Sequence, residues 1–294
     1  MFLLIYDVIV IGAGPAGISA SIYVKRAGLN VLVLHYGKSE LQKAHKIDNY
    51  YGFIDGITGE ELYKNGILQA RKLEIDVIEK EITDIEFNEN LSFKVKSINE
   101  EFNTKSIIIA TGNKRVRPNI KGIQDFEGKG VSYCAICDGF FYKNKDIAVI
   151  GDGQFAINEA NDLINIASSV KILTNGSAFA NSNKFDIDSR KIKEIHGKEK
   201  VEFIEFEDGD KIYLDGIFIA QGVAGGSDFA KKLGIITNND NIQVNESMQT
   251  NIDGIFACGN LTGGLLQVNK AVYEGAKAGL QAVQYLKSKK GGER

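Results

Sequence analysis

The sequence lacks a long hydrophobic run. No apolar segment reaches the ~20 residues that a membrane-spanning helix needs, so we expect no membrane protein. A secretion signal is also missing, because the apolar residues 1–6 have neither a basic segment before them nor a small-residue cleavage site after them. These two absences predict a cytoplasmic protein.

An excess of positive charge is also lacking, with 35 lysines and arginines against 38 acidic residues. The formal net charge of -3 at pH 7 argues against a nucleic-acid-binding protein. Proline is scarce, with 2 residues, whereas glycine is abundant, with 32, a balance that suits tight glycine turns between strands and helices. The chain of 294 residues has room for one large domain or two ordinary ones.

Histidine and cysteine are too few and too scattered for a metal site. His35, His45 and His196 show no ligand spacing, and zinc usually needs four ligands. Two of the three cysteines, Cys134 and Cys137, are separated by two residues, and the third lies more than a hundred residues away. Beside an α/β pattern, such a pair predicts redox chemistry. The alternatives are half of a zinc site or two unpaired cysteines in a core.

The residue after the pair is also chemically apt. Asp138 directly follows Cys137 and supplies a proton donor or acceptor for a thiolate. In a protein without a secretory signal, structural disulfides are rare, so a paired CxxC indicates a working redox couple.

The chain opens with a strand–glycine loop–helix–strand pattern. Residues 7–11 predict a buried strand, Gly12-Ala13-Gly14-Pro15-Ala16-Gly17 forms a GxGxxG loop, and a helix and a second strand at residues 31–34 follow. In this context the glycines allow a tight turn and close approach to a pyrophosphate at the helix N-terminus. The acid expected after the second strand is replaced by His35, so the adenosine ribose must be held differently or the site is altered.

The same pattern returns in mid-chain. Residues 146–150 predict a strand, Gly151-Asp152-Gly153-Gln154-Phe155-Ala156 is a GxGxxA loop, a helix runs to about Ala167, and residues 170–173 predict the next strand. Thr174-Asn175-Gly176 then offers neither a cation for an NADP 2′-phosphate nor an acid for an NAD ribose. Either this loop binds a nucleotide weakly, or it packs a helix on a sheet with nothing bound.

Two such units predict an α/β chain of two Rossmann-like dinucleotide-binding domains. We expect the second domain, residues 115–245, to be inserted into the first, residues 1–114 and 246–294. We also expect a helix at 59–73, a helix from Gln267 to about Leu286 with a frayed end beyond it, and a core position for Cys258.

The chain resembles the low-molecular-weight thioredoxin reductases over nearly its whole length. The most specific matching runs are Ser132-Tyr133-Cys134 and Cys137-Asp138-Gly139. The resemblance implies a homodimer with FAD, in which Cys137 faces the flavin, Cys134 attacks thioredoxin and Asp138 is the acid/base. It also implies a set of cofactor-binding residues: Gly12, Gly14, Pro15, Ala16, Gly17, His35, Gln42, Asn49, Ile82, Ala110, Thr111, Gly112, Gly259, Asn260, Gln267 and Val268.

Departures from that family concern the nucleotide. His35 and Asn260 replace acids, Leu266 replaces an arginine, the Gly-Gly-Gln near Gln42 is not intact, and Thr174-Asn175-Gly176 replaces His-Arg-Arg. The chain therefore resembles the ferredoxin-dependent flavin branch, in which reduced ferredoxin is the donor. The alternatives are an ordinary NADPH-dependent thioredoxin reductase, a ferredoxin–NADP reductase in which CxxC would have no role, and a redox-sensing flavoprotein without turnover. Ferredoxin docking would use cations, for which the candidates are Lys114, Arg115, Arg117, Lys121 and residues 287–290, unless these form an ordinary solvated surface.

Overall fold

The structure, a computed structural model, describes residues 5–88, 92–112, 118–179, 184–222, 224–238 and 241–291, without the side chains of residues 137, 290 and 291. The chain divides into two compact units. Unit 1 comprises Met1–Lys114 and Gly225–Arg294, and unit 2 comprises Arg115–Ala224.

The end of unit 2 differs from the prediction, which placed the return to unit 1 after residue 245. The chain returns to unit 1 already at Gly225, because the segment after it bonds to unit 1: the Gly226 N–H donates to Thr111 Oγ1 at 3.0 Å, and the Ile236 N–H donates to Asn251 Oδ1 at 2.9 Å. No proline or charge run marks this point in the sequence.

The first part of unit 1 alternates strands and helices. Its strands are β1 (Ile5–Tyr6), β2 (Val8–Ile11), β3 (Val31–His35), β4 (Asp76–Glu79), β5 (Ile82–Phe87), β6 (Phe93–Ser97), β7 (Glu101–Thr104) and β8 (Ile107–Ile109). Its helices are α1 (Pro15–Arg26), α2 (Gly59–Lys72) and a 3-10 helix at Glu40–Lys43. Helix α2 begins at a capping box, in which Thr58 Oγ1 accepts from the Glu61 N–H, and it matches the predicted helix.

Unit 2 follows the same logic. Its strands are β9 (Val131–Ser132), β10 (Asp146–Ile150), β11 (Ser169–Leu173), β12 (Asp186–Asp188), β13 (Ile192–Gly197), β14 (Val201–Phe206), β15 (Lys211–Tyr213) and β16 (Gly216–Ile219). Its helices are α3 (Ala135–Asp138), the 3-10 helix Gly139–Tyr142 and α4 (Gln154–Leu163), which is shorter than predicted.

The returning chain completes unit 1 with α5 (Gly226–Lys232), β17 (Thr237–Asn238), β18 (Asn241–Ile242), β19 (Ile255–Ala257), a 3-10 helix at Gly259–Thr262 and α6 (Val268–Gly291). Helix α6 runs past Leu286, where we predicted a frayed end. Lysine is a good helix former and supplies favourable charge near a helix C-terminus, which explains the extension.

Each unit is built on a five-stranded parallel sheet with a glycine loop after its middle strand. The order is β19-β8-β2-β3-β4 in unit 1 and β12-β11-β10-β16-β9 in unit 2. Antiparallel strands complete both units, in the sheet β1-β7-β6-β5, where β1 pairs parallel with β7, and in the sheet β13-β14-β15. The predicted fold class is confirmed. In both sheets the chain turns opposite ways from the middle strand, and ligands of such folds bind at this switch point.

Helices α1 and α6 cover one face of the first sheet. They form a single apolar core with β2 and β3, including Val10, Val33 and Ala278. Gly275 and Gly279 make the close approach possible, because a Cβ at either would overlap a backbone carbonyl oxygen of α1, at Ala16 and Ala20 respectively. Helix α6 is thereby fixed against the start of α1, beside the glycine loop.

Candidate functional site

The first glycine loop is a tight turn that leaves open space above it. Gly12 has φ +115°, and a Cβ there would overlap the Ala110 carbonyl oxygen, while a Cβ on Gly17 would overlap the Gly12 carbonyl oxygen. A Cβ on Gly14 would meet only Ser39 Oγ, at 3.6 Å. Two glycines are therefore required by packing, and the third leaves room for a ligand at the N-terminus of α1.

Two neighbouring strands end at the same edge. After β8, the Ala110 N–H donates to the Ile11 carbonyl at 2.8 Å, and Thr111 and Gly112 follow. After β19 comes Gly259, where a Cβ would lie 2.9 Å from the Ala16 Cβ. The predicted residues of both segments thus lie beside the glycine loop.

A buried ion pair holds the turn after β19. Lys270 Nζ lies 3.0 Å from Glu274 Oε2, and the two side chains are only 15% and 11% exposed. Glu274 Oε2 accepts from the Gly259 N–H and from Thr262 Oγ1, both at 2.9 Å. Lys270 Nζ donates to the Gly259 carbonyl at 2.9 Å and to Thr262 Oγ1 at 3.0 Å. Two side chains of α6 therefore hold this turn through five polar contacts.

Asn49 and Gln267, 218 residues apart in sequence, are brought together. Asn49 Nδ2 donates to Gln267 Oε1 at 3.1 Å. Val268, the next predicted residue, lines a cavity of about 600 Å³ together with Pro15 and the aromatic rings of Tyr23, Tyr50 and Tyr63. The start of α6 therefore lies at the same edge as the glycine loop.

His35 ends β3 with an unsatisfied nitrogen. Its Nδ1 is buried and has no hydrogen-bond partner within the described part of the chain. Burial lowers the pKa of His35, and the nearby Glu79 carboxylate opposes that shift only partly, so the ring is neutral at pH 7. A buried orphan nitrogen at the end of the second strand, where a ribose is held in such folds, is a ready ligand contact.

Two predicted residues have other surroundings. The Gln42 amide is used within the protein: its Oε1 accepts from the Ser39 N–H, and its Nε2 donates to Glu60 Oε2, both at 2.8 Å. Gln42 therefore completes a capping box on the 3-10 helix beside the loop. Ile82 is buried at the start of β5, in the other sheet of unit 1. For both residues a cofactor contact stays a prediction.

The redox segment in unit 2 is built around a serine. Ser132 Oγ donates to Asp138 Oδ2 at 2.6 Å and accepts from the Cys134 N–H at 3.1 Å. On the other side, the Ala135 N–H donates to Glu159 Oε2 at 2.7 Å, and Glu159 is 3% exposed. Helix α4, which follows the second glycine loop, thus holds the start of α3.

Cys134 is disulfide-bonded and 7% exposed. The side chain of Cys137 lies outside the described side chains, so its predicted pairing stays a prediction. Cys258 is a free thiol and fully buried, as predicted, and burial raises its pKa far above the usual range, which keeps it protonated and unreactive.

Apolar side chains next to the redox segment face solvent. Ile136, Phe140 and Phe141 are 55%, 75% and 69% exposed, and the two phenylalanine rings meet edge to face. Exposed aromatic residues of this kind are typical of protein-binding surfaces.

The second glycine loop occupies the same place after its strand as the first loop, but its side chains differ. A Cβ on Gly151 would overlap the Ala220 carbonyl oxygen, as at Gly12, and a Cβ on Gly153 would meet only Gly222 O, at 3.6 Å. However, Asp152 places a carboxylate in the loop, and Phe155 is buried in the core at the position corresponding to Ala16. A carboxylate beside the N-terminus of α4 opposes the binding of a phosphate there.

The edge beyond β11 is closed by the protein's own groups. Asn175, with φ +51°, accepts the Ile192 N–H on its Oδ1 at 2.8 Å, and the Gly176 N–H donates to the Ser189 carbonyl at 3.1 Å. Strand β12 pairs directly with β11 in parallel register. The connection, residues 174–185, is at the short end of the range for a parallel crossover, and the part of it that the structure describes contains no helix.

Two cations near this edge are paired with acids. The Lys191 side chain lies close to Gly176, and its Nζ is 3.1 Å from Glu207 Oε1. Arg190 is the second. Its guanidinium contacts Asp188 Oδ2 at 2.7 Å and Asp210 Oδ2 at 2.8 Å, and it stacks 4.1 Å from the centre of the Phe206 ring. The Asp188 side chain hydrogen-bonds the guanidinium, and this contact raises the pKa of Arg190 and lowers that of Asp188. A 2′-phosphate would have to displace these carboxylates.

Four side chains at these sites were not predicted: Ser132, Glu159, Lys270 and Glu274. Lys270 and Glu274 are four residues apart, a spacing that in sequence looks like an exposed helix pair. Glu159 is 24 residues from the amide it binds. Only Ser132, inside the redox motif, carried a signal in the sequence.

Comparison with known proteins finds relatives that match almost the whole chain. Residues 6–275 match the family model described as pyridine nucleotide-disulphide oxidoreductase. A thioredoxin reductase of Ureaplasma parvum is 34% identical, over 96% of this chain and 97% of that protein.

Two solved structures are similar as well. The atypical thioredoxin reductase TRi of Desulfovibrio vulgaris Hildenborough shares 39% identity over 96% of this chain and 98% of its own, with a TM-score of 0.87. A ferredoxin-flavin thioredoxin reductase of Clostridium acetobutylicum shares 31% identity over 98% and 100%, with a TM-score of 0.68.

Reductases of this family are FAD-binding flavoproteins, and FAD is the cofactor of this protein. The residues of unit 1 fit it. Gly14 leaves room for a pyrophosphate, and His35 Nδ1 offers a buried hydrogen-bonding atom where the adenosine ribose is expected. The described residues contain no helix that is long and apolar enough to cross a membrane. The chain belongs to the pyridine nucleotide-disulphide oxidoreductases and, within them, to the thioredoxin reductase family of disulfide-reducing flavoproteins.

Proposed function

We propose that this protein takes electrons from reduced ferredoxin and passes them, through FAD and the Cys134–Cys137 disulfide, to thioredoxin. Cys137 faces the flavin, Cys134 attacks the disulfide of thioredoxin, and Asp138 carries the proton. Bound FAD supplies the step between a donor of single electrons and a two-electron disulfide. The protein's own residues hold the cofactor, hold the proton at Asp138 and present the reactive sulfur.

The closed edge beyond β11 is the observation that carries the choice of donor. An NADP site needs a cation for the 2′-phosphate, and an NAD site needs an acid for the ribose. Here Asn175 is bonded to the Ile192 N–H, and Arg190 is bound by Asp188 and Asp210. Neither side chain is available to a nucleotide without breaking contacts within unit 2.

One solved neighbour supports a ferredoxin donor, because it is named a ferredoxin-flavin thioredoxin reductase. Ferredoxins are acidic, so docking would use cations. Lys114, Arg115 and Arg117 lie outside the described residues, and Lys121 is 74% exposed and paired with Glu194 at 2.9 Å.

Thioredoxin fits the exposed apolar side chains near the redox segment. Ile136, Phe140 and Phe141 offer an apolar contact surface next to Cys134, which is itself only 7% exposed. A protein disulfide cannot reach so buried a sulfur, so turnover needs a rearrangement that exposes it. We propose a rotation of unit 2 during turnover, a movement that the resemblance to this family implies.

The remaining assignments belong to the same proposal. The protein works in the cytoplasm as a homodimer. Unit 1 is the FAD domain, and unit 2 is a shortened nucleotide-binding-type domain that carries the redox couple. The cofactor contacts are those predicted from the sequence, including Gly259, Asn260, Gln267 and Val268 of the returning chain.

Anaerobic reduction of the flavin tests the donor. The yellow protein is mixed in turn with reduced ferredoxin, with the ferredoxin's chemical reductant alone, with NADPH and with NADH, and the flavin absorbance is followed. We expect rapid bleaching by reduced ferredoxin and none by either nucleotide within the time of turnover. Bleaching by micromolar NADPH would return the protein to the NADPH-dependent thioredoxin reductases, the second candidate, which the general name of the Ureaplasma relative favours. A flavin that reduces while no disulfide substrate does would favour a redox sensor.

A further inference from the structure

The geometry points to a role for the buried pair Lys270–Glu274: it sets the cofactor affinity of unit 1 by positioning the Gly259–Asn260 peptide toward the FAD site. The inference concerns FAD binding and does not depend on the identity of the electron donor.

The pair engages both sides of Gly259. The Glu274 carboxylate accepts the Gly259 N–H at 2.9 Å, and the Lys270 ammonium donates to the Gly259 carbonyl at 2.9 Å. Both groups also meet the Thr262 hydroxyl, at 2.9 and 3.0 Å. These contacts fix the orientation of the two peptide groups that flank Gly259, in a backbone of φ +83° that only glycine adopts readily.

The pair also decides which amide remains for a ligand. Glu274 accepts the Gly259 N–H, whereas the Asn260 N–H has no hydrogen bond to another group among the described residues. The Gly259 carbonyl and the Asn260 N–H belong to one peptide group. An ammonium on the carbonyl polarises that group and strengthens its N–H as a donor.

The turn faces the cofactor edge. A Cβ on Gly259 would lie 2.9 Å from the Ala16 Cβ, in the loop that receives the pyrophosphate. Asn260 stands where the resembled family has an acid, so this turn brings no negative charge toward the cofactor phosphates. Lys270 and Glu274 neutralise each other, and the net contribution of the pair is the direction and polarity of one peptide group.

Isosteric variants separate this role from ordinary packing. We compare the wild type with Lys270→Met, with Glu274→Gln and with the double variant that carries both changes. Lys277→Met is the matched control. Lys277 is on the same helix, and its ammonium lies 5.7 Å from the Tyr273 ring and not at the turn. For each protein, FAD is removed and its dissociation constant is measured by flavin fluorescence, and the melting temperature of the apoprotein is measured by circular dichroism.

We expect Lys270→Met to raise the FAD dissociation constant about tenfold, the size of a lost charge-assisted hydrogen bond. Glu274→Gln should weaken binding by a similar factor, and the double variant should bind no worse than the poorer single variant, because the two groups act as one unit. Lys277→Met should stay within about twofold of wild type.

Two results would overturn the inference. One is equal FAD affinity in Lys270→Met and Lys277→Met. The other is a loss of affinity fully accounted for by a lower melting temperature of the apoprotein, which would make the pair a packing element only. Should Lys270→Met fail to fold, Glu274→Gln, which keeps the side-chain volume but removes the charge that pairs with Lys270, decides by the same two criteria.

Discussion

The two strand–loop–helix units share an arrangement of elements and differ in which side-chain and backbone groups remain available to a ligand. In unit 1 the loop residues between the glycines are small. The buried Nδ1 of His35, at the end of the second strand, has no hydrogen-bond partner within the described residues. In unit 2 a carboxylate, Asp152, sits in the loop, and Asn175 at the end of the second strand is already bonded to the Ile192 N–H. In the function proposed above, one fold serves as a ligand site in the first unit and as a scaffold in the second.

What the second unit holds instead is the redox segment. Helix α4, which would point its N-terminus at a phosphate, uses Glu159 to bind the Ala135 N–H beside Cys134. Gly139 packs the next turn on the same helix, since a Cβ there would lie 2.9 Å from Leu163 Cδ2. A glycine motif therefore indicates the geometry of the turn, whereas the groups around the turn control ligand binding.

The largest expected effect comes from exchanging one glycine in each loop. Gly14→Val should abolish FAD binding, because the branched side chain fills the pyrophosphate space, while the apoprotein should still fold, since only Ser39 Oγ lies near. Gly153→Val, the matched change in the second loop, should keep FAD and turnover. Cofactor content per chain measures both. A colourless Gly153→Val protein, or a yellow Gly14→Val protein, would break the comparison.

Next come the cysteines of the second unit. Cys137→Ser should keep a reducible flavin yet stop electron flow, and it should trap thioredoxin as a mixed disulfide through Cys134. Cys134→Ser should be equally inactive without forming that adduct. Cys258→Ala, at the buried free thiol, is the control and should retain turnover. Full turnover by either variant of the pair would refute the assigned roles.

Features set by consecutive residues could be predicted from the sequence, whereas features set by long-range contacts could not. Local patterns predicted both glycine loops, because the turn geometry is written in consecutive residues and the strands are short apolar runs. The return point at Gly225 was predicted wrongly because contacts such as Gly226 to Thr111 join distant parts of the chain. The Lys270–Glu274 pair was missed since burial, which turns an i,i+4 pair into a structural one, has no local signature. The bond between Asn175 and the Ile192 N–H was not predicted, because it crosses a connection whose path the sequence does not give.

A smaller effect should follow from grafting a phosphate site onto the second unit. Replacing Asn175 and Gly176 with arginine should create no NADPH activity and should lower the free energy of unfolding. The loss should be about 1–3 kcal/mol, because the Ile192 N–H is left without its acceptor. Gly176 at φ +86° adds strain for any other residue. Urea unfolding measures the loss in the free energy of unfolding, and the rate of NADPH oxidation measures the activity. Robust NADPH turnover in the grafted protein would show that only the two side chains were missing.

The smallest expected effect is the acid sensitivity given by His35. Burial lowers its pKa in the folded protein, so the folded state favours the neutral ring. The stability that this provides is present above the unfolded value of about 6.5 and is lost as pH falls below it. Urea unfolding at pH 7.5 and 5.5 should therefore show a smaller acid loss for His35→Phe than for wild type. His45→Phe, at an exposed histidine, is the control, and an unchanged acid loss in His35→Phe would contradict the assignment.

The most direct test of the central contrast is to count nucleotides. Calorimetric titration of the intact, FAD-loaded protein with NADP⁺, beside a measurement of FAD per chain, examines both loops in one sample. We expect one FAD per chain, lost in Gly14→Val, and no NADP⁺ binding up to millimolar concentration. Micromolar NADP⁺ binding at one per chain, abolished by Gly153→Val, would contradict this expectation and show that the second loop is a nucleotide site after all.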